Sequence, residues 1–211
     1  MVLFFSLHTR LRICRLWSRN IGRMRAVWAH PKPVFSQTNE CSFYSIHFVT
    51  LCGYSLFEAN FLRPDWNNFE DRWSENVCLQ NSESSCGPAS AATLLRFFDK
   101  PASEKQIAEE SFTSRRGTEN WYLIRTIRRH GLEAKYLIHQ PGDLDLPFPA
   151  IVGVRLGGNG GAGHFIAVLA KEGKDFVIGD PLIGREILSA HELLERYYFT
   201  GFSIIVTTNR N

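Results

Sequence analysis

Gln80-Asn81-Ser82-Glu83-Ser84-Ser85-Cys86-Gly87-Pro88-Ala89 sets one cysteine at the mouth of a predicted helix. Small residues continue to Ala92, followed by Leu94, Leu95, Phe97 and Phe98. Apolar positions three and four apart predict a buried helix that starts at or just after Cys86. Pro88 suits its first turn, where a missing N–H costs no intrahelical bond. The unpaired N–H groups and positive dipole at such an end favour thiolate over thiol. Gln80, upstream, is a candidate amide donor beside that sulfur. A thiolate next to an amide donor is what acyl transfer needs: a nucleophile, and something to hold the oxyanion that forms.

Downstream, Lys100-Pro101 ends this helix, and Ser103-Glu104-Lys105-Gln106 has the spacing of a capping box opening a second, to about Phe112. A third follows Gly117-Thr118, with Leu123, Ile127 and His130 on one face and Gly131 as C-cap. The period then changes. Strands are expected over 134–138, 150–156, 164–170, 175–179 and 202–207, with brief pairing at 186–188 and a helix capped by Ser189 running through Glu195. Helices first and an antiparallel sheet second predict an α+β domain of two layers.

Two residues in the sheet half complete the chemistry. His164 directly follows Gly157-Gly158-Asn159-Gly160-Gly161-Ala162-Gly163, a loop expected to leave its imidazole at a sheet edge facing a cleft. A hairpin centred near Gly173 places position 164 beside roughly 181–183. Asp180 is then across or diagonal from His164, within reach if both share a face, and would orient the ring and stabilise an imidazolium. The ordinary alternative for Asp180 is a turn residue ahead of Pro181. The glycine loop matches neither a Walker A loop nor a strand–GxGxxG–helix unit, because a strand follows it, so a nucleotide site is not expected there. There is no GxSxG elbow.

Composition narrows the partners. The chain has 211 residues, 44% of them hydrophobic, with a mean hydropathy of −0.16, as in a globular protein. Its formal charge is +3, yet the first 39 residues hold Arg10, Arg12, Arg15, Arg19, Arg23, Arg25 and Lys32 and no acid, leaving −4 for the rest. A mildly acidic body argues against nucleic acid as a partner. The five cysteines include no CxxC pair, which argues against a disulfide framework and a structural zinc site. Neither metal nor cofactor is expected.

Residues 1–70 read as a basic, aromatic-rich N-terminal extension, and 71–211 as the catalytic domain. Leu7, Leu11, Cys14, Ile21, Met24 and Trp28 fall on one face of a basic amphipathic helix. Contact with a membrane surface through residues 1–62, a targeting role, or a poorly ordered extension remain open, with a cytoplasmic or membrane-associated location. No stretch of 18 uninterrupted apolar residues marks a transmembrane helix.

Gln80, Ser85-Cys86-Gly87-Pro88-Ala89, Gly117-Thr118, His164-Phe165 and Asp180-Pro181 with Gly184 together resemble the C39 peptidases, papain-like cysteine proteases best known for processing the leader peptides of exported bacteriocins. The resemblance covers about residues 76–206, with Ser189 and Glu192 also fitting. It implies a papain-like fold and a peptide or protein substrate, with Cys86 as nucleophile, His164 as general base, Asp180 as its orienting partner and Gln80 as oxyanion donor. In the best-known members the cut follows a Gly-Gly leader and the peptidase is fused to membrane helices and an ATPase. This chain has no Walker A, so an exporter would be a separate subunit. Two other readings use the same scaffold: a catalytically silent peptide-binding module, and an acyl-transfer enzyme such as an amidase or transpeptidase.

Overall fold

In the computed structural model the protein is described over residues 63–208. The proposed amphipathic helix and surface-binding segment within residues 1–62 lie outside the described residues. A 3-10 turn, Trp66–Asn68, precedes a small hairpin of β1 (Trp73–Ser74) and β2 (Val77–Cys78), which the sequence did not signal. Three helices follow: α1 (Cys86–Phe97), α2 (Glu104–Glu110) and α3 (Asn120–Arg129). The rest is β3 (Leu132–Ile138), β4 (Ala150–Leu156), β5 (Ala162–Glu172), β6 (Asp175–Asp180), β7 (Gly184–Ser189), α4 (Ala190–Arg196) and β8 (Tyr197–Thr208). The six long strands form one antiparallel sheet in the order β3-β8-β4-β5-β6-β7. Among the described residues no helix is long and apolar enough to cross a membrane.

α1 is buried along almost its whole length because its first turns are small. Ala89, Ala91, Ala92, Leu94 and Leu95 are fully buried, each leucine contributing roughly 1.5–3 kcal/mol. Gly87 leaves room for Leu123 and Phe165, which a Cβ there would meet at 2.9 and 3.4 Å. The Ser90 hydroxyl donates to the Phe165 carbonyl at 3.1 Å, fixing the helix on β5. The Thr93 hydroxyl accepts from the Cys78 N–H at 2.9 Å, which holds the small hairpin to the same helix. On α2, Ser103 accepts from the Gln106 N–H, but the Gln106 side chain bonds Glu110 instead of returning to the cap, so only half of the predicted box forms. The complete box is at α4, between Ser189 and Glu192.

The sheet carries two apolar faces. Ile151, Ala167, Ile204 and Val206 pack with the helices, while Val152, Val154, Ile166, Val168, Ile178 and Phe199 form a second cluster with Leu193 of α4. The β5–β6 hairpin pairs Glu172 with Asp175, but its register shifts by one residue between Val168 and Ala170, leaving Ala167 opposite Gly179. Carried straight from the turn, the first register would set His164 opposite Ile183 and turn Asp180 to the other face. The bulge reverses that parity, so both side chains point the same way.

β8 begins five residues earlier than the sequence reading placed it. Gly201 lies inside the strand with φ +80°, beside an irregularity in the β4–β8 pairing. A Cβ at Gly201 would sit 2.3 Å from the His139 carbonyl oxygen. Gly201→Ala is therefore expected to lower the stability of the domain by about 1–3 kcal/mol in a urea unfolding titration.

Candidate active site

Cys86 is the first residue of α1. Ser85 does not cap the helix with its side chain, because its hydroxyl accepts from the Ser82 N–H at 3.0 Å. The first-turn N–H groups of α1 therefore keep their positive end turned towards the cysteine. The turn before Cys86 is built on the Ser82 carbonyl. That oxygen accepts from the Ser85 N–H at 3.2 Å, the Ser85 hydroxyl at 3.0 Å and the Gln80 side-chain amide at 2.7 Å. Gln80 thus packs on the turn that delivers Cys86. One amide N–H is used there and the other is uncommitted by that bond. The Gln80 Oε1 is buried without a partner.

His164 is the third residue of β5, opposite Val154 of β4. It is 6% exposed, so the open sheet-edge position expected for it is corrected: β5 starts at Ala162 and carries the ring inside. Its Nε2 is 2.9 Å from Asp180 Oδ1. Cys86 also acts on the ring and helps to raise its pKa. Burial pulls the imidazole pKa down, but the hydrogen bonds to Asp180 and Cys86 and their charges prevail and raise it to about 9.

Asp180, the last residue of β6, is fully buried and accepts three hydrogen bonds. His164 Nε2 and the Leu182 N–H share Oδ1, the latter at 2.8 Å, while the Tyr197 hydroxyl donates to Oδ2 at 2.5 Å. Burial opposes the charge, yet the bonds from His164 and Tyr197, the imidazolium and the Leu182 N–H hold the carboxyl below its ordinary range. Tyr197 is 1% exposed; burial and the neighbouring carboxylate push its phenol up, so it remains a donor. Tyr197 starts β8, three strands from β6 in the sheet order. Three strand spacings are about 14 Å in a flat sheet, too far for a phenol and a carboxylate to meet. The sheet must coil strongly to bring them together. Sequence reading missed Tyr197 because it placed the last strand at 202–207, five residues further on.

The structure therefore brings His164 and Asp180 into direct contact, with Cys86 acting on the same ring and Gln80 on the turn that precedes Cys86. The Gln80 N–H donates to the Pro181 carbonyl at 2.9 Å, tying that turn to the residue after Asp180. Among the described residues no group of three or more His, Cys, Asp or Glu is placed to hold a metal ion.

This helix-borne cysteine facing a sheet-borne histidine and aspartate is the arrangement of a papain-like cysteine peptidase domain. Residues 74–211 match the Peptidase C39 family, and the chain belongs to that family. Among solved structures it is similar to a double glycine motif protease from an AMS/PCAT transporter in complex with the leader peptide. The two are 26% identical with a TM-score of 0.54, over 67% of this chain and 96% of that one. The peptidase domain of Streptococcus ComA, a bifunctional ABC transporter of a quorum-sensing pathway, shares the fold. It is 23% identical with a TM-score of 0.52, covering 62% of this chain and 96% of that one. An uncharacterized protein of Methanothermobacter marburgensis is 30% identical over 132 residues, 63% of this chain and 88% of its own. A peptidase-type function follows from the family.

The His164–Asp180 pair makes stability depend on pH. The folded imidazolium has a raised pKa, so its contribution is complete below about pH 6.5 and is lost as pH rises through about 9. The depressed carboxyl contributes above its ordinary 3.8, and that part is lost as pH falls through its lower folded value. In Asp180→Asn the imidazole resonance is expected to titrate well below 9 by NMR, and the alkaline loss of melting temperature should flatten.

Proposed function

We propose that this chain is a cysteine endopeptidase that cuts through Cys86, His164, Asp180 and Gln80. The observation that carries the reading is the buried bond between His164 and Asp180, with Cys86 near enough to the ring to raise its pKa. The Cys86 thiolate attacks the scissile carbonyl, forming an S–C bond and a tetrahedral oxyanion. The Cys86 N–H and the Gln80 amide hold that oxyanion. As the C–N bond breaks, the His164 imidazolium gives its proton to the leaving amine. The imidazole then takes a proton from water, which attacks the thioester and releases the acid. Asp180 keeps the ring oriented and favours its charged form.

For the substrate, the similarity to a double glycine motif protease bound to a leader peptide supports a leader-bearing peptide cut after Gly-Gly. Since that protease and the Streptococcus domain come from transporters, a separate exporter subunit is the partner this reading proposes.

A Gly-Gly leader peptide and its Cys86→Ala control test the assignment. Cys86→Ala is expected to leave no hydrolysis, and Gln80→Ala to lower kcat by about 10²–10³. Equal turnover by wild type and Cys86→Ala would sink it. The wild-type rate should also decline on the alkaline side near pH 9, as His164 loses the proton it must donate. A thiol-directed peptide electrophile should modify Cys86 and spare Cys78. Cys78 is wholly buried, and burial together with the Glu104 and Asp71 charges pushes its thiol up to about 12.

A further inference from the structure

Glu104 opens α2, where a carboxylate ordinarily stays in solvent and complements the helix dipole. Here it is 1% exposed and turned towards the loop that precedes Cys86. Its Oε1 accepts from the Asn81 N–H at 2.9 Å, and its Oε2 accepts a very short bond from the Asn81 side-chain amide. A carboxylate taken out of water costs several kcal/mol unless its oxygens are satisfied, so this contact is a specific one. Burial pushes its carboxyl up, and the polar groups of Ser85 and Asn81 work in the opposite direction.

What Glu104 holds is the peptide unit between Gln80 and Asn81. The N–H of that unit donates to Glu104, and its carbonyl accepts from Arg72 Nη2 at 2.6 Å. An anion on one edge and a guanidinium on the other fix the plane of a single peptide group. Asn81 is clasped again from outside, where its side chain accepts from the Glu70 N–H at 3.2 Å and donates to the Glu70 carbonyl at 2.7 Å. Gln80 rises from the peptide so fixed, on the turn that leads to Cys86.

Building on the oxyanion role proposed above, we infer that Glu104 is a positioning residue for the oxyanion site, acting through the Gln80–Asn81 peptide. It touches no substrate. Its task is to keep the Gln80 amide aimed at the oxyanion while leaving the sulfur's own reactivity unchanged.

Two reagents separate these effects without knowledge of the natural substrate. Acylation of Cys86 by p-nitrophenyl acetate passes through a tetrahedral oxyanion and releases p-nitrophenolate. Alkylation by iodoacetamide displaces iodide at carbon and forms no oxyanion. In the full chain, Glu104→Gln turns an amide N–H towards the Asn81 donors. It is expected to slow acylation about tenfold or more while alkylation stays within about twofold of wild type. Arg72→Met frees the other edge of the same peptide from an exposed position and should show the same selective loss. In a Gln80→Ala background, Glu104→Gln should cost little more. Wild-type acylation in both variants, a parallel loss of alkylation, or full additivity with Gln80→Ala would each overturn the inference. If Gln80→Ala alone leaves the ratio of the two rates unchanged, the oxyanion reading has failed, and this inference with it.

Discussion

A charged imidazole and a carboxylate sharing one buried hydrogen bond constrain the rest of this domain. His164 and Asp180 are 6% and 0% exposed, where an unpaired charge would cost several kcal/mol. The fold answers with donors. Asp180 receives the ring, a backbone N–H and a phenol, so both oxygens are satisfied. Each donor comes from a different place: the start of β5, the turn after β6 and the first residue of β8. Meeting that demand requires a bulge in one hairpin, a coiled sheet, and a helix, α4, that returns the chain to the right strand. Removing one member of such a pair leaves a buried charge without compensation, typically a loss of about 3–5 kcal/mol.

The two layers divide the work. The helical half supplies the sulfur at a helix mouth, where the backbone itself is positive. The sheet half supplies the imidazole and its carboxylate. Small, directional contacts keep them in register: Ser90 on the Phe165 carbonyl, Gln80 on the Pro181 carbonyl, and Thr93 on the Cys78 N–H. None of these is large alone, at about 1 kcal/mol for a typical bond. Their value is geometric. A buried α1 of small residues approaches β5 closely, and a methyl added at Gly87 would press on Leu123 and Phe165. Cys86 is placed by packing density, and His164 by strand register.

Much of this was legible in the sequence. The small-residue run after Cys86, the hairpin turn at Gly173 and the order Gln80, Cys86, His164, Asp180 pointed to an α+β peptidase domain. The family match over residues 74–211 agrees with the resemblance drawn from those same residues. What failed was local. Ser103 to Gln106 formed half a capping box, because Glu110 one turn on offered Gln106 a partner. The last strand was expected only from 202, since only the folded sheet shows that a left-handed residue at Gly201 continues it. Tyr197 was hidden by that error, and Glu104 by its ordinary place at a helix start.

The residue types and their spacing by themselves determined which chemistry is available and which secondary elements carry it, because helix periodicity, turn preference and side-chain reactivity are local properties. Whether His164 and Asp180 share a face was left conditional, and one register shift near Leu169 decided it. The meeting of Tyr197 with Asp180, and of Glu104 with Asn81, was likewise decided only by tertiary structure. Sheet coiling and the burial of charge depend on contacts between distant segments, and local pattern holds no record of them.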